Sequence, residues 1–119
     1  MARKILQVNK ANRMSEAADL RQVDTMFETP DAVDGAEFEL GKDHKTLILL
    51  KNDSGSNVQN IVIQAGNGIQ GVADLLVELH PVSFTFVCPE AGRFKVMTGK
   101  DRGKVLIFGD AKVAVFELP

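Results

Sequence analysis

Three glycines with the spacing of a dinucleotide-binding loop, Gly66, Gly68 and Gly71, stand in the middle of the chain. A β-branched run precedes them and an apolar segment follows, which is the order strand, loop, helix of that motif. In such a loop the glycines let the backbone approach a pyrophosphate, which lies at the N-terminus of the helix. The spacing of these glycines therefore indicates nucleotide binding.

The residues around the glycines do not continue that pattern. The segment after Gly71 ends at His80-Pro81, too early for a helix of a doubly wound sheet, and the run Val82–Cys88 that follows alternates like a strand. Glu90, the acid at the distance from which a ribose is usually bound, stands in a turn-like stretch. We therefore predict that the three glycines form a loop between β-strands and supply backbone conformations that other residues cannot adopt.

No other group of residues has the spacing of a catalytic or metal site. His44 and His80 each lack a Cys or His partner at ligand spacing, and Cys88 has no identifiable base beside it. The stretch Thr98–Lys104 contains glycine and lysine but leads into an apolar strand rather than a helix, so we interpret it as a charged hairpin tip. We predict that the protein is not an enzyme and uses no cofactor or metal.

The size and composition of the chain limit its architecture. With 119 residues and 45% hydrophobic content it can enclose one core. The net charge of −2 is too small to attract nucleic acid or an anionic membrane non-specifically, and no apolar run approaches the length of a membrane span. The single cysteine and the lack of a signal-peptide pattern indicate synthesis in a reducing cytoplasm. We expect neither nucleic acid nor a membrane as a direct partner.

Short apolar runs separated by turn residues recur from Ala36 onward, which is typical of an antiparallel all-β domain. Leu75, Val77 and Leu79 share one side of their run while Glu78 faces the other, so one side is expected in the core and one in solvent. We predict an antiparallel β-sandwich domain over residues 36–119. Its eight predicted strands are Ala36–Leu40, Lys45–Lys51, Val58–Ala65, Asp74–His80, Val82–Cys88, Arg93–Met97, Lys104–Phe108 and Lys112–Leu118.

Three local patterns add detail to this sandwich. The stretch TLILLKN is apolar on both sides, so we predict a central strand that a neighbouring subunit or the N-terminal arm covers. The polar run Asn52–Asn57 predicts a turn with a positive φ at Gly55. The run Gly109–Ala111 predicts a tight hairpin between the last two strands.

Residues 1–35 differ from the rest, because hydrophobic residues are sparse and Pro30–Gly35 marks a break before the β-sandwich. We assign residues 1–35 to an N-terminal arm. Within it, the stretch SEAADLRQVDTMF fits two structures equally well. One is a short helix capped by Ser15, with Leu20, Val23 and Phe27 on one stripe; the other is an extended arm with one strand.

The arm begins with a basic tip. Residues 1–13 contain four cations and no acid, whereas residues 14–43 contain nine acids and two cations. Because no aromatic residue lies in the tip to stack on bases, two interpretations remain: a frayed, solvated terminus, or an arm that orders on the acidic surface of a protein partner. The predicted contact residues, four cations and three apolar anchors, are Arg3, Lys4, Ile5, Leu6, Val8, Lys10 and Arg13.

The segments DGAEFEL, KTLILLKN, NIVIQAGNGIQGVADLLVEL and GKVLIFGDAKVAVFELP form a succession over residues 34–119. This succession resembles small immunoglobulin-like proteins encoded near the major capsid gene of tailed phages and prophages, among them head decoration, or capsid auxiliary, proteins. The resemblance implies an immunoglobulin-like sandwich and a virion structural protein that decorates and stabilises the capsid by binding the major capsid protein. It also implies a place on the phage head surface after synthesis in the bacterial host cytoplasm, with contacts between copies in a trimer or between neighbours.

A second function is compatible with the same sandwich. A β-sandwich module associated with a head or tail fibre would recognise a host-surface glycan. The chain contains no Trp and no Tyr, which are the usual platforms for sugar rings, so the sequence favours capsid decoration.

Overall fold

A computed structural model describes residues 3–10, 27–69, 71 and 73–118. The predicted helix or strand beginning at Ser15, with Leu20 and Val23, lies outside the described residues, as does Arg13. Within the described residues the chain forms nine strands, one short α-helix and one 3-10 turn. The strands are β1 (Lys4–Ile5), β2 (Val8–Lys10), β3 (Ala36–Glu39), β4 (Thr46–Asn52), β5 (Gln59–Ile63), β6 (Leu75–Leu79), β7 (Ser83–Val87), β8 (Lys104–Gly109) and β9 (Lys112–Glu117); the helix is α1 (Ala91–Phe94) and the turn is Asp43–Lys45.

The strands form two sheets that pack face to face. The five-stranded sheet has the order β1-β3-β8-β5-β6, and the four-stranded sheet has the order β2-β9-β4-β7. Strands β3 to β9 pair antiparallel, which confirms the predicted all-β sandwich. Strands β1 and β2 of the arm instead pair parallel with β3 and β9, one in each sheet. The division of the chain at residue 35 stays a prediction, although residues 3–10 belong to both sheets.

The core lies between the two sheets. On β4, Ile48 and Leu50 are fully buried while Leu47 and Leu49 on the outer side are half-buried. Because β4 lies between β9 and β7, the predicted central strand is confirmed. The covering of its outer face by another subunit or by the N-terminal arm stays a prediction. The other fully buried aliphatic core residues include Ile61, Ile63, Val105, Ile107, Val113 and Val115.

Seven of the eight predicted strands are present, and the strand predicted at Arg93–Met97 is wrong. The backbone N–H groups of Phe94 and Lys95 bond to carbonyls four residues earlier, so the chain makes the single helical turn α1. The Asp43 carboxylate accepts a hydrogen bond from the Ala91 N–H at 3.0 Å and so binds the first turn of α1, and Phe94 is buried in the core. No helix in the described part of the chain is long and apolar enough to span a bilayer.

The tight turn predicted at Gly109–Ala111 is present, but it does not form a hairpin. Strands β8 and β9 belong to different sheets, so the turn carries the chain from one layer to the other. Gly109 has φ 140°, and a Cβ there would overlap the carbonyl oxygen of Asn60. The Asp110 carboxylate accepts a hydrogen bond from the Asn60 N–H at 2.8 Å, which fixes the crossover against β5.

The predicted turn at Asn52–Asn57 is also present, but Gly55 does not have the predicted positive φ. The turn depends instead on the buried Asn52 side chain. Its Nδ2 donates to the carbonyl oxygens of Asn57 and Leu79 at 2.9 Å each, and its Oδ1 accepts from the Ser54 N–H. A polar side chain that is 1% exposed thus ties the end of β4 to the end of β6.

Candidate interaction surface

The glycine motif lies between β5 and β6, which pair directly and antiparallel. A dinucleotide site needs parallel strands joined by a helix, so this pairing excludes the Rossmann arrangement and confirms a loop between strands. None of Gly66, Gly68 and Gly71 has a positive φ, so the prediction that they supply special backbone angles is wrong. Gly66 and Gly71 are required by close packing: a Cβ on Gly66 would overlap the Lys95 carbonyl oxygen, and one on Gly71 would overlap that of Gly66.

The loop is held by Asn67. Its Oδ1 accepts hydrogen bonds from the N–H groups of Met97 and Thr98 at 2.7 and 3.3 Å, and its Nδ2 donates to the carbonyl oxygen and hydroxyl of Thr98 at 3.1 Å each. The Gly66 N–H donates to the Arg93 carbonyl oxygen at 2.8 Å. The polar groups of the loop therefore bond to the neighbouring loop of the same sandwich.

The two histidines and the cysteine lie apart on the surface. His44 is exposed beside Asp43, with 3.8 Å between His44 Nδ1 and Asp43 Oδ1, whereas His80 and Cys88 are exposed at the two ends of β7. Among the residues that the structure describes, no group of three or more His, Cys, Asp or Glu side chains could hold a metal ion.

The basic tip of the arm is bound to its own sandwich. Arg3 makes two parallel hydrogen bonds to the Asp101 carboxylate, at 2.9 and 3.2 Å, and lies 3.5 Å from Glu37. Lys104 binds the other oxygen of Glu37 at 2.6 Å. Hydrogen bonding to Arg3 holds the pKa of Asp101 below its usual value, and the same contact raises the pKa of Arg3. This cluster fixes the start of the arm beside β3.

The apolar anchors of the arm divide into buried and exposed residues. Leu6 is 4% exposed in the core and Val8 packs against the core, so both stabilise the sandwich itself. Ile5 is 76% exposed, and the exposed Lys4 lies 3.6 Å from Glu28. Lys10 ends β2. The contact of the arm with a partner stays a prediction. Of its predicted contact residues, Lys4 and Ile5 are exposed.

The largest exposed aromatic surface lies on β7, which sequence reasoning did not single out. Phe84 and Phe86 point outward from the four-stranded sheet and are 56% and 63% exposed. The ring of Phe27 packs edge-on against Phe84, with 5.5 Å between the centroids, and Phe86 lies opposite Leu49 of β4. We call Phe84 and Phe86, together with the backbone edge of β7, the phenylalanine edge.

The phenylalanine edge is unusual because it carries no charge. The whole run Pro81–Pro89 lacks Asp, Glu, Lys and Arg, whereas the other outermost strands β1, β2 and β6 carry Lys4, Lys10 and Glu78. Charged residues on an edge strand normally prevent its backbone from pairing with another chain. Within the described residues, β7 pairs with β4 on one side and with no strand on the other. This edge is therefore open to a partner.

A second exposed apolar point lies in the glycine loop that precedes β6. Ile69, at the tip of the glycine loop, is fully exposed, and Met97 beside it is 37% exposed. These two side chains lie on loops, whereas Phe84 and Phe86 lie on a strand at the edge of a sheet. An isoleucine inside an otherwise polar loop was the sequence signal for this point.

Comparisons of the chain with protein-family models, with curated proteins and with solved structures found no match.

Proposed function

We propose that this protein is a phage virion structural protein that decorates and stabilises the capsid by binding the major capsid protein. The observation that carries the proposal is the exposure of Phe84 and Phe86 on an uncharged edge of a sandwich. Such a surface is typical of a protein that works by adhesion. The resemblance of residues 34–119 to head decoration proteins supports the capsid as the surface that is bound.

The phenylalanine edge has the composition of an interface core. Aromatic residues are enriched and charged residues are depleted where protein interfaces become fully buried. Two Phe rings that are more than half exposed can bury on the order of 200 Å², and a stable interface needs about 800 Å² per partner. The two rings can therefore supply the centre of such an interface, with Leu49 and Phe27 beside them.

Decoration would not require high affinity at each site. A capsid repeats the same surface many times, and a protein that bridges neighbouring subunits dissociates only when several contacts break together. The arm provides a second contact through the exposed Ile5 and Lys4, because Arg3 and Leu6 hold the arm in place on the sandwich. A rigid body with two apolar contact points suits this role.

The experiment is co-sedimentation of the purified protein with expanded capsids assembled from the major capsid protein of the same genome. We expect saturable binding by the wild type and at least a tenfold loss of affinity for the double variant Phe84→Ser/Phe86→Ser. The control is Leu76→Ser, which removes a side chain that is 57% exposed on the outer face of the other sheet. This control should bind like the wild type.

Two results would overturn the proposal. One is the absence of wild-type binding together with no protection of empty capsids against heat. The other is a glycan array with saturable hits that Phe84→Ser/Phe86→Ser abolishes, which would assign the same rings to a host-surface glycan and favour a fibre-associated recognition module.

A further inference from the structure

The sequence of the phenylalanine edge is nearly symmetric about Thr85. Reading outward from Thr85 in both directions gives a Phe, then a residue without charge, then a small apolar side chain and then a Pro. The matching pairs are Phe84 with Phe86, Ser83 with Val87, Val82 with Cys88 and Pro81 with Pro89. A strand with this symmetry presents the same pattern to an antiparallel copy of itself.

We propose that β7 pairs with β7 of a second copy of this chain across a two-fold axis through Thr85, joining two four-stranded sheets into one of eight strands. In this register Thr85 faces its own copy and Phe84 faces Phe86 of the partner copy. Residues directly opposite each other on antiparallel strands lie on the same face of the sheet. The four Phe rings therefore form one continuous patch on the outer face, so the second copy occupies the backbone edge of β7 while the faces of the rings stay available for the proposed capsid contact.

Charge favours a second copy as the occupant of this edge. A two-fold axis brings identical strands together, so any charged residue near the axis would meet a like charge. The run Pro81–Pro89 contains none, whereas β6 on the other sheet would bring Glu78 into such a contact. Of the outermost strands in the described part of the chain, β7 is the one compatible with its own copy.

The area that is buried indicates a weak dimer. Two rings that are more than half exposed supply on the order of 200 Å² of side-chain surface from each copy, well below the roughly 800 Å² per partner of a standard interface. We expect association only at high micromolar concentration in solution. On a surface that holds copies side by side, the effective concentration is higher and the pair would form there.

Cysteine cross-linking tests the register directly. In a Cys88→Ser background, Thr85→Cys places the new thiol opposite itself, at a spacing of about 4.5 to 5.5 Å between Cα atoms that a disulfide can bridge. We expect Thr85→Cys to form covalent dimers under mild oxidation. Ser83→Cys alone and Val87→Cys alone should each stay monomeric, whereas an equal mixture of the two should cross-link.

Sedimentation velocity gives a second measurement that does not depend on a thiol. The mean mass of the wild type should rise from the 13.0 kDa of one chain towards twice that value as the protein concentration increases. The range from about 10 µM to about 1 mM is the one in which weak contacts form. Phe84→Lys/Phe86→Lys should remain monomeric throughout, because Lys would face Lys across the axis. Leu76→Lys, the matched control on the other sheet, should associate like the wild type.

The inference is overturned if the wild type stays monomeric up to a concentration on the order of 1 mM, or if Thr85→Cys cross-links no faster than Ser83→Cys. It is also overturned if Phe84→Lys/Phe86→Lys, shown to be folded by circular dichroism, associates like the wild type. These experiments use the isolated protein, so the inference does not rest on the proposed function. A protein that dimerises but ignores capsids would contradict only that function.

Discussion

The two outermost strands of the four-stranded sheet differ in how they end the sheet. At one edge lies β2, a three-residue strand of the arm that ends in Lys10 and whose Val8 packs against the core. At the other edge lies β7, which has five residues, no charge and two exposed Phe rings. In the described part of the chain, the arm thus supplies the strand at one edge, and no strand pairs with the other, which we call the open edge. Because sheet edges promote pairing unless they are covered or charged, the open edge is where a partner is expected.

The largest expected effect lies on the closed side, in the core residue of the arm. Leu6→Ala should lower the free energy of unfolding by about 2 to 5 kcal/mol, because it removes a buried side chain and leaves a cavity. The neighbouring Ile5→Ala is the control, since Ile5 is 76% exposed and should change stability by less than about 0.5 kcal/mol. Urea unfolding followed by circular dichroism measures both. Equal effects would contradict the distinction between buried and exposed anchors.

The next effect concerns the residue that places the start of the open edge. Asn52 lies opposite Ser83 at the end of β4 and donates to the Leu79 carbonyl oxygen. Asn52→Ala should lower the free energy of unfolding by about 1 to 3 kcal/mol, because it leaves buried backbone groups without a partner. The exposed Asn57→Ala serves as the control in the same urea titration. If Asn57→Ala destabilises the protein as much as Asn52→Ala does, the turn as a whole, and not the buried amide, determines where β7 begins.

A smaller effect depends on pH and tests how the arm is fixed. The pKa of Asp101 is lowered by Arg3, so its folded pKa lies below that of the unfolded chain, about 3.9. The stability gained from this contact is therefore present above the unfolded pKa and is lost as the pH falls through the folded pKa.

The variant Arg3→Gln removes the cation from this contact. The difference in unfolding midpoint between wild type and Arg3→Gln should be constant from about pH 5 to 7 and should shrink below about pH 4. A parallel series with Lys100→Gln, whose side chain is exposed nearby, should show a smaller dependence. A difference for Arg3→Gln that stays constant down to about pH 2 would contradict the role of the pair.

The smallest expected effect on stability lies at the open edge. Phe86→Ser should change the free energy of unfolding by no more than about 0.5 kcal/mol, because Phe86 is already 63% exposed in the folded chain. The same variant should weaken every association through the edge. Thermal unfolding at low protein concentration measures the first statement. A loss of several kcal/mol would show that the ring belongs to the core of the single chain.

The strands from residue 36 onward could be predicted because each is a short apolar run between turn residues, either with alternating exposure, as in Leu75–Leu79, or with a continuous buried stretch, as in Lys112–Glu117. Strands β1 and β2 could not, because they are two and three residues long and depend on partners far along the chain. The Arg93–Met97 error has a similar cause. A four-residue alternation fits a strand or one helical turn, and a hydrogen bond from Ala91 to the distant Asp43 favours the turn.

The candidate surface was only partly visible in the sequence. The uncharged run Pro81–Pro89 can be read directly from the chain. Its position at the edge of a sheet cannot be read from the sequence, because that position depends on which strands pair with β4 and β9. In the same way, the tight turn at Gly109–Ala111 was predictable from its residues, whereas its crossing between sheets follows from the packing of the whole sandwich.

The most direct test of the account is amide hydrogen exchange, followed by mass spectrometry, of the free protein and of the protein bound to capsids. We expect the peptide that covers residues 81–89 to exchange at least tenfold more slowly in the bound state. The peptide that contains Leu6 should be equally protected in both states, because the sandwich already buries it. Unchanged exchange at residues 81–89 on capsids that carry the protein would contradict the claim that the open edge is the binding surface.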